Sequence, residues 1–312
     1  MPKRKSSSTK KKIAKTKKTA KPAKTIGILH SGTRGKHDVQ LRELRKFLKN
    51  NGYSEPTNLT IAPNQSPLWS DDDPQKLTDN AKILADMPGL DLIIAAGGSA
   101  SVYAAHAATA TNHRHVVFTS FSQRISPASN MTGVCARTTE LDRDRLTNLY
   151  NLMLSERPGQ TEFGVLENQE RHGYDPRILQ DEASRLHIDL NRKDVHKDAG
   201  EADTAVVARI NNAFADWKSS GIKAALVCAD PIFNNHRREV LAAARRNGVL
   251  TMHQWREFKD EGGHAFFGTS LKEAYQQAGR IAAQVLDGTD PADIPVYVLG
   301  NLEFSFKRAS RK

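Results

Sequence analysis

The sequence predicts an α/β protein of two doubly wound, Rossmann-like lobes. Three observations carry that expectation. From Thr25 onward, short β-branched runs alternate with amphipathic stretches of helical length. Several runs are apolar throughout, as parallel strands covered on both faces must be. The alternation is laid down twice, in two halves of similar length.

The first half reads as follows. Residues 26–29 form a buried strand run, and Val39, Leu44, Phe47 and Leu48 recur at near-helical spacing before Asn50-Asn51-Gly52, a C-cap signal. Residues 59–62 predict a short strand. Asp71–Asp73 followed by Pro74 supplies an N-cap with proline at N1, opening a helix through Leu77, Ile83 and Leu84. A continuous apolar strand at 90–96, an Ala-rich helix at 99–110 and a buried strand at 115–119 complete the half. The second half predicts helices at 138–155, 176–186, 204–217 and 233–246, the last ending at Asn247-Gly248. Its strands are expected at 163–166, 224–228, 250–253 and 265–267, before a long helix at 271–286 that stops at Asp287-Gly288.

The chain has 312 residues, enough for two domains that each bury a core. No apolar run approaches 18 residues, which excludes a spanning helix and a membrane partner of that kind. Two cysteines exclude a disulfide framework and a Cys-rich zinc site, and Cys135 and Cys228 read as buried, reduced thiols. The net charge of +11 is confined to one end: residues 1–24 carry eleven Lys and Arg and no acid, while the other 35 basic residues balance the 35 acidic ones. Such a segment cannot bury enough surface to order itself. Lys10, Lys11, Lys12, Lys17 and Lys18 are its candidate polyanion contacts, through which nucleic acid would be held without base specificity; a merely solubilising extension is the other reading. No apolar run of 7–15 residues follows the basic stretch, as an export signal requires. The expectation is a cytoplasmic protein, periplasmic only if the true start lies elsewhere.

In doubly wound sheets ligands bind beyond the carboxyl ends of the strands. Here those loops are His30-Ser31-Gly32-Thr33, Gly97-Gly98-Ser99-Ala100-Ser101, Ser120-Phe121-Ser122-Gln123, Glu167-Asn168-Gln169, Ala229-Asp230-Pro231 and His253-Gln254-Trp255. Their small, hydroxyl and amide side chains leave backbone N–H groups open to a polar ligand at helix starts. A nucleophile elbow needs G-x-S-x-G, and Ser101 breaks that pattern, which leaves Ser99 as a helix N-cap and ligand donor. The same turn is neither G-x-G-x-x-G nor a P-loop. His113-Arg114-His115 lacks metal-ligand spacing. The reading is therefore of a protein without metal, cofactor or catalytic set; the rival is a hydrolase or isomerase using the Ser99 hydroxyl.

The last third is the most specific. It contains D-P-x-F from Asp230 to Phe233, a following helix with Arg237-Arg238, and W-R-E-F-x-x-x-G-G from Trp255 to Gly263. Phe267-Gly268-Thr269, Gly279-Arg280 and L-x-G-x-x-P-x-x-x-P-V from Leu286 to Val296 follow. Upstream, residues 90–111 and Asn130-Met131-Thr132-Gly133-Val134 fit the same pattern. Residues 25–305 thus resemble the substrate-binding proteins of ABC transporters, of the tryptophan- and tyrosine-type family. The resemblance implies a type I periplasmic-binding-protein fold, two Rossmann-like lobes with a ligand cleft between them, with one crossing at 132–140 and the other candidates at 247–252 and 266–270. It implies an N-terminal lobe at 25–134, a C-terminal lobe at 135–265 and a return segment at 266–312 packed on the first lobe, after the tail of 1–24. It also implies a small-molecule ligand and an ABC permease as partner. By position, Ser31, Gly98, Ser99, Ser120 and Phe121 would face the ligand from the first lobe, and Tyr174, Asp230 and Trp255 from the second. Tyr174 and Trp255 would stack, and Asp230 would accept from an amine. The chain departs from the pattern in its basic loop Thr33-Arg34-Gly35-Lys36-His37 and in Leu302-Glu303-Phe304-Ser305-Phe306 near its end. The expected function is non-catalytic binding of a small polar or amino-acid-like ligand, in transport or as a sensor derived from it. The alternative is a nucleic-acid-associated protein whose body senses a ligand or dimerises.

Overall fold

The computed structural model describes residues 21–122, 128–137, 141–170 and 174–307. The lysines expected to meet polyanions, Lys10, Lys11, Lys12, Lys17 and Lys18, lie outside the described residues. The first lobe runs β1 (Lys24–His30), α1 (Asp38–Asn50), β2 (Leu59–Ala62), β3 (Leu68–Trp69), α2 (Pro74–Ala85), β4 (Leu92–Ala96), α3 (Ser99–Thr109), β5 (Val116–Phe121) and β6 (Met131–Cys135). The second runs α4 (Asp142–Glu156), β7 (Glu162–Glu167), α5 (Arg177–Leu186), β8 (Asp189–Asp194), α6 (Asp203–Ser219), β9 (Ala224–Val227), α7 (Pro231–Asn235), α8 (Arg237–Asn247), β10 (Leu250–Trp255), α9 (Arg256–Asp260) and β11 (Ala265–Thr269). The chain then returns through α10 (Leu271–Leu286), β12 (Tyr297–Val298) and β13 (Glu303–Phe306).

The strand order is β12-β6-β5-β4-β1-β2 in the first sheet, with β3 pairing on β1, and β13-β11-β10-β9-β7-β8 in the second. Every described ladder is parallel except that of β13 on β11. Continuous apolar strands follow from covering both faces. Ile26, Ile28, Leu92 and Ile94 enter the core beneath α1 and α10, while Leu29, Ile93, Ala95 and Val116 enter the one beneath α2 and α3. The caps behave as their residue types require: Asp73 accepts from the Lys76 N–H and opens α2 with Pro74 at its first position.

Helix α10 lies on the first lobe, against α1. A Cβ on Gly279 would sit 2.8 Å from the Leu44 carbonyl oxygen and 2.9 Å from Phe47 Cβ, so the close crossing needs glycine. Arg280 next to it lies over the Phe47 ring, 4.8 Å from its centroid.

The structure corrects several sequence expectations. The lobes are joined between β6 and α4, between β11 and α10, and between β12 and β13. Residues 247–252 are not a crossing, because they turn from α8 into β10 inside the second lobe, with Gly248 in the left-handed region. β11 belongs to the second sheet, so the lobe boundary falls after Thr269 and not at 265, and β13 carries the end of the return segment back to the second lobe. The helix expected at 233–246 is two helices meeting at His236. β8 gave no sequence signal, since Asp189, Asn191, Arg192, Lys193 and Asp194 make a charged edge strand.

Candidate functional site

The carboxyl ends of both sheets face one another across a cavity of about 590 Å³. Ser31 follows β1, Gly97, Gly98 and Ser99 join β4 to α3, and Ser120, Phe121 and Ser122 end β5. Asn168 follows β7, Ala229, Asp230 and Pro231 join β9 to α7, and Trp255 ends β10. Seven of the eight residues expected at the ligand therefore line one cavity: Ser31, Gly98, Ser99, Ser120, Phe121, Asp230 and Trp255.

Tyr174 does not join them. Its hydroxyl donates to Glu167 Oε1 at 2.9 Å and accepts from Arg192 at 3.2 Å, beside Asp142, Ile178 and Leu179 in a separate small crevice. The reason is a buried carboxylate: Glu167 is 1% exposed and takes a second partner from Arg192 of β8 at 2.8 Å. Burial, with Glu167 next, pushes the Tyr174 phenol up to about 12.

The turn after β4 is shaped by two left-handed glycines. Gly97 has φ +92°, and a Cβ there would meet Ser31 Oγ at 2.4 Å; one on Gly98, φ +118°, would meet Pro231 Cγ of the opposite lobe at 2.7 Å. Ser31 Oγ donates to the Gly97 carbonyl at 3.0 Å, locking the two loops. Ser99 is the first residue of α3, and its N-cap is Gly98, with no side-chain cap. The expected N-cap role of Ser99 is thus corrected: its hydroxyl pairs with Ser122 Oγ at 2.7 Å and accepts from the Ser122 N–H at 3.2 Å, holding the loop after β5. Ser101, which breaks the elbow pattern, donates to the Ala96 carbonyl at 2.6 Å.

One wall is apolar. Ser99, Ala100, Tyr103, Ala104 and Ala107 present a stripe of α3, and Tyr103 meets Phe121 edge-on with ring centroids 5.5 Å apart. Polar side chains reach the same cavity, among them Asp72, His37, His196, Lys197 and Asn234. These residues escaped the sequence reading. Tyr103 lay one helical turn beyond Ser99, and that spacing could have found it; Asp72 was read only as part of an N-cap run, and nothing local marked Lys197. Asp230 caps α7 through the Ile232 N–H at 2.8 Å and accepts from Asn168 at 3.2 Å. Burial, reinforced by Asp230, raises the Asp72 carboxyl to about 7 against the opposing pull of Asn235, Lys197 and Lys36.

No protein-family model matches the chain, and no curated protein matches it in sequence. Solved structures do match in shape. A Streptococcus pneumonia ABC domain in complex with L-Trp superposes with a TM-score of 0.73 at 17% identity, covering 91% of this chain and 92% of that one. The chain has the fold of the ABC-type solute-binding proteins. A conserved domain protein from Vibrio cholerae gives a TM-score of 0.72 at 16% identity, with 91% and 92% covered. An Agrobacterium radiobacter carbohydrate transporter solute-binding protein in complex with D-arabinose gives 0.61 at 11% identity, with 91% and 95% covered. In this fold the cavity between the lobes is the space that both sheets address with their carboxyl ends, and seven of the eight expected residues occupy its walls. No described helix is long and apolar enough to cross a membrane.

Proposed function

We propose that the chain binds a small polar or amino-acid-like ligand in the interlobe cleft and does not transform it. The observation that carries this reading is the cavity of about 590 Å³, reached by loops from both sheets and lined by apolar and polar side chains together. In its support, proteins of the same fold are described in complex with L-Trp, D-arabinose and myo-inositol. Ser31, Ser99 and Ser120 would meet the polar groups of the ligand, together with the first backbone N–H groups of α3. Phe121, Tyr103 and Trp255 would cover its apolar part, and Asp230 would take a donor. The Ser99 hydroxyl is engaged with Ser122, which supports binding over nucleophilic chemistry. ABC-transporter context in those relatives supports handing the ligand to a permease.

Thermal denaturation of the full chain against amino acids, polyols, sugars, nucleosides and small carboxylates tests the reading. A ligand at 100 times its Kd stabilises the folded state by about 2.7 kcal/mol, a rise in Tm that is readily measured. At least one class is expected to produce it, and a flat panel would overturn the proposal.

A further inference from the structure

Several polar contacts tie the lobes along one rim of the cleft, and the most deeply buried of them centres on one side chain. Asn235, the last residue of α7 and 5% exposed, reaches from the second lobe into a slot of the first. Its Nδ2 donates to both carboxylate oxygens of Asp72, at 2.5 and 2.6 Å. Its Oδ1 accepts from Nε2–H of His37. An amide oxygen can only accept, so this pairing assigns the Nε2–H tautomer to a neutral His37.

The first lobe's own backbone frames the slot. The Asp72 N–H donates to the Ser31 carbonyl at 2.7 Å and the Asp71 N–H to the Gly32 carbonyl at 3.2 Å, lashing the loop after β3 to the loop after β1. Asp72 sits in the left-handed region at φ +60°, which turns its carboxylate to the rim. Any side chain at residue 32 would fill the slot, because a Cβ there would lie 2.7 Å from Asn235 Oδ1 and 2.8 Å from His37 Nε2. Two further hydrogen bonds and an ion pair cross the same rim: Lys197 Nζ to the Asp71 carbonyl at 2.6 Å, the Gly200 N–H to Asp73 Oδ2 at 2.9 Å, and Lys36 Nζ beside Asp203 Oδ2 at 3.5 Å. Asn234, not Asn235, faces the cavity.

We infer that Asn235 is the latch that holds the two lobes closed over the cleft, with Asp72 and His37 as its keeper. It is a positioning residue: it sets the closed state without touching what the cleft holds. Opening the lobes breaks its bonds to Asp72 and to His37 together. The inference rests on the cleft being the binding site proposed above, but its test needs no ligand.

Small-angle X-ray scattering of the full ligand-free chain reads the lobe opening directly. Wild type is expected to hold a compact population that Asn235→Ala lowers at least tenfold relative to the open form. Asn235→Asp, which sets a carboxylate against Asp72, is expected to open the cleft as far. The exchanged pair Asp72→Asn with Asn235→Asp restores a donor facing an acceptor, with His37 still donating, and is expected to regain compactness. Circular dichroism checks folding; if the Asn235 variants fail it, Asp72→Ala on the opposite lobe must open the cleft to the same extent. Equal scattering from wild type and the opened variants, all compact or all open, would overturn the latch. A flat ligand panel with an intact scattering shift would instead overturn the binding reading and leave the latch standing.

Discussion

At the scale of single residues, the latch joins two groups whose protonation opposes one another. Both meet Asn235 of the second lobe, so opening the lobes is expected to return water to them. Burial holds the Asp72 carboxyl at about 7, above its usual 3.8, with Asp230 adding to the rise and Asn235, Lys197 and Lys36 resisting it. Burial also holds the His37 imidazole at about 4, below its usual 6.5; Arg237 and Lys36 add to that fall, while Asn235 and Asp38 resist it. His30, whose ring is tilted 43° to that of His37 with centroids 4.5 Å apart, is itself lowered by burial and by His37. The signs follow from which form binds the proton. Through Asp72 the closed form gains protons relative to the open one, so closure is favoured below about pH 7 and weakened as pH rises through it. Through His37 the open form gains them, so closure is weakened as pH falls from 6.5 towards 4. Between those limits the two effects offset each other. The compact fraction seen by scattering is expected to be flat from about pH 4.5 to 6 and to fall from about 6.5 to 8. Asp72→Asn is expected to abolish the alkaline fall while keeping an acceptor for Asn235. A fall that persists in that variant would assign the titration elsewhere.

At the scale of elements, the return helix decides how the first lobe is finished. Ten of the sixteen residues of α10 are buried, and Gly279 lets its axis close on α1. Gly279→Val puts branched carbons against the Leu44 carbonyl oxygen and is expected to cost about 1–3 kcal/mol by overpacking. The measurement is a urea unfolding curve, with an unchanged slope and a lowered midpoint. α10, α2 and the strands at the centre of each sheet were legible in the sequence, because helical periodicity, capping residues and apolar runs are written within a few residues of one another. β8 was not: its pairing with β7 makes it a strand, and its own composition argues against one. The break at His236 was also hidden, since α7 starts on a separate cap supplied by Asp230.

At the scale of the whole molecule, two lobes carry their loops to one cavity and are joined three times. A ligand that raises the Tm in the panel is expected to add hydrogen-exchange protection along both rims at once. The affected segments are the loop residues 31–37 and 70–73 of the first lobe, and 197–203 with α7 of the second. Amides at the sheet centres, in β4 and β9, already exchange only through larger openings and are expected to change little below global unfolding. Protection confined to one lobe would argue against closure as the response to ligand.

By itself the sequence determined the α/β class, the order of most elements and the small-residue turn at Gly97 and Gly98, and seven of the eight residues it pointed to lie on the walls of the cleft. Each of these depends on residue type within a short window, where sterics, capping and periodicity act. The tertiary structure alone decided that Tyr174 serves buried Glu167 through β8, that β11 and β13 stay with the second sheet, and that Asn235 meets Asp72 and His37. Asn235 stands 163 residues from Asp72 and 198 from His37. No local propensity acts over such separations: the partners of a polar group are set by which loops the packed sheets bring together, and only there does burial turn an ordinary Asn, Asp and His into a contact between lobes.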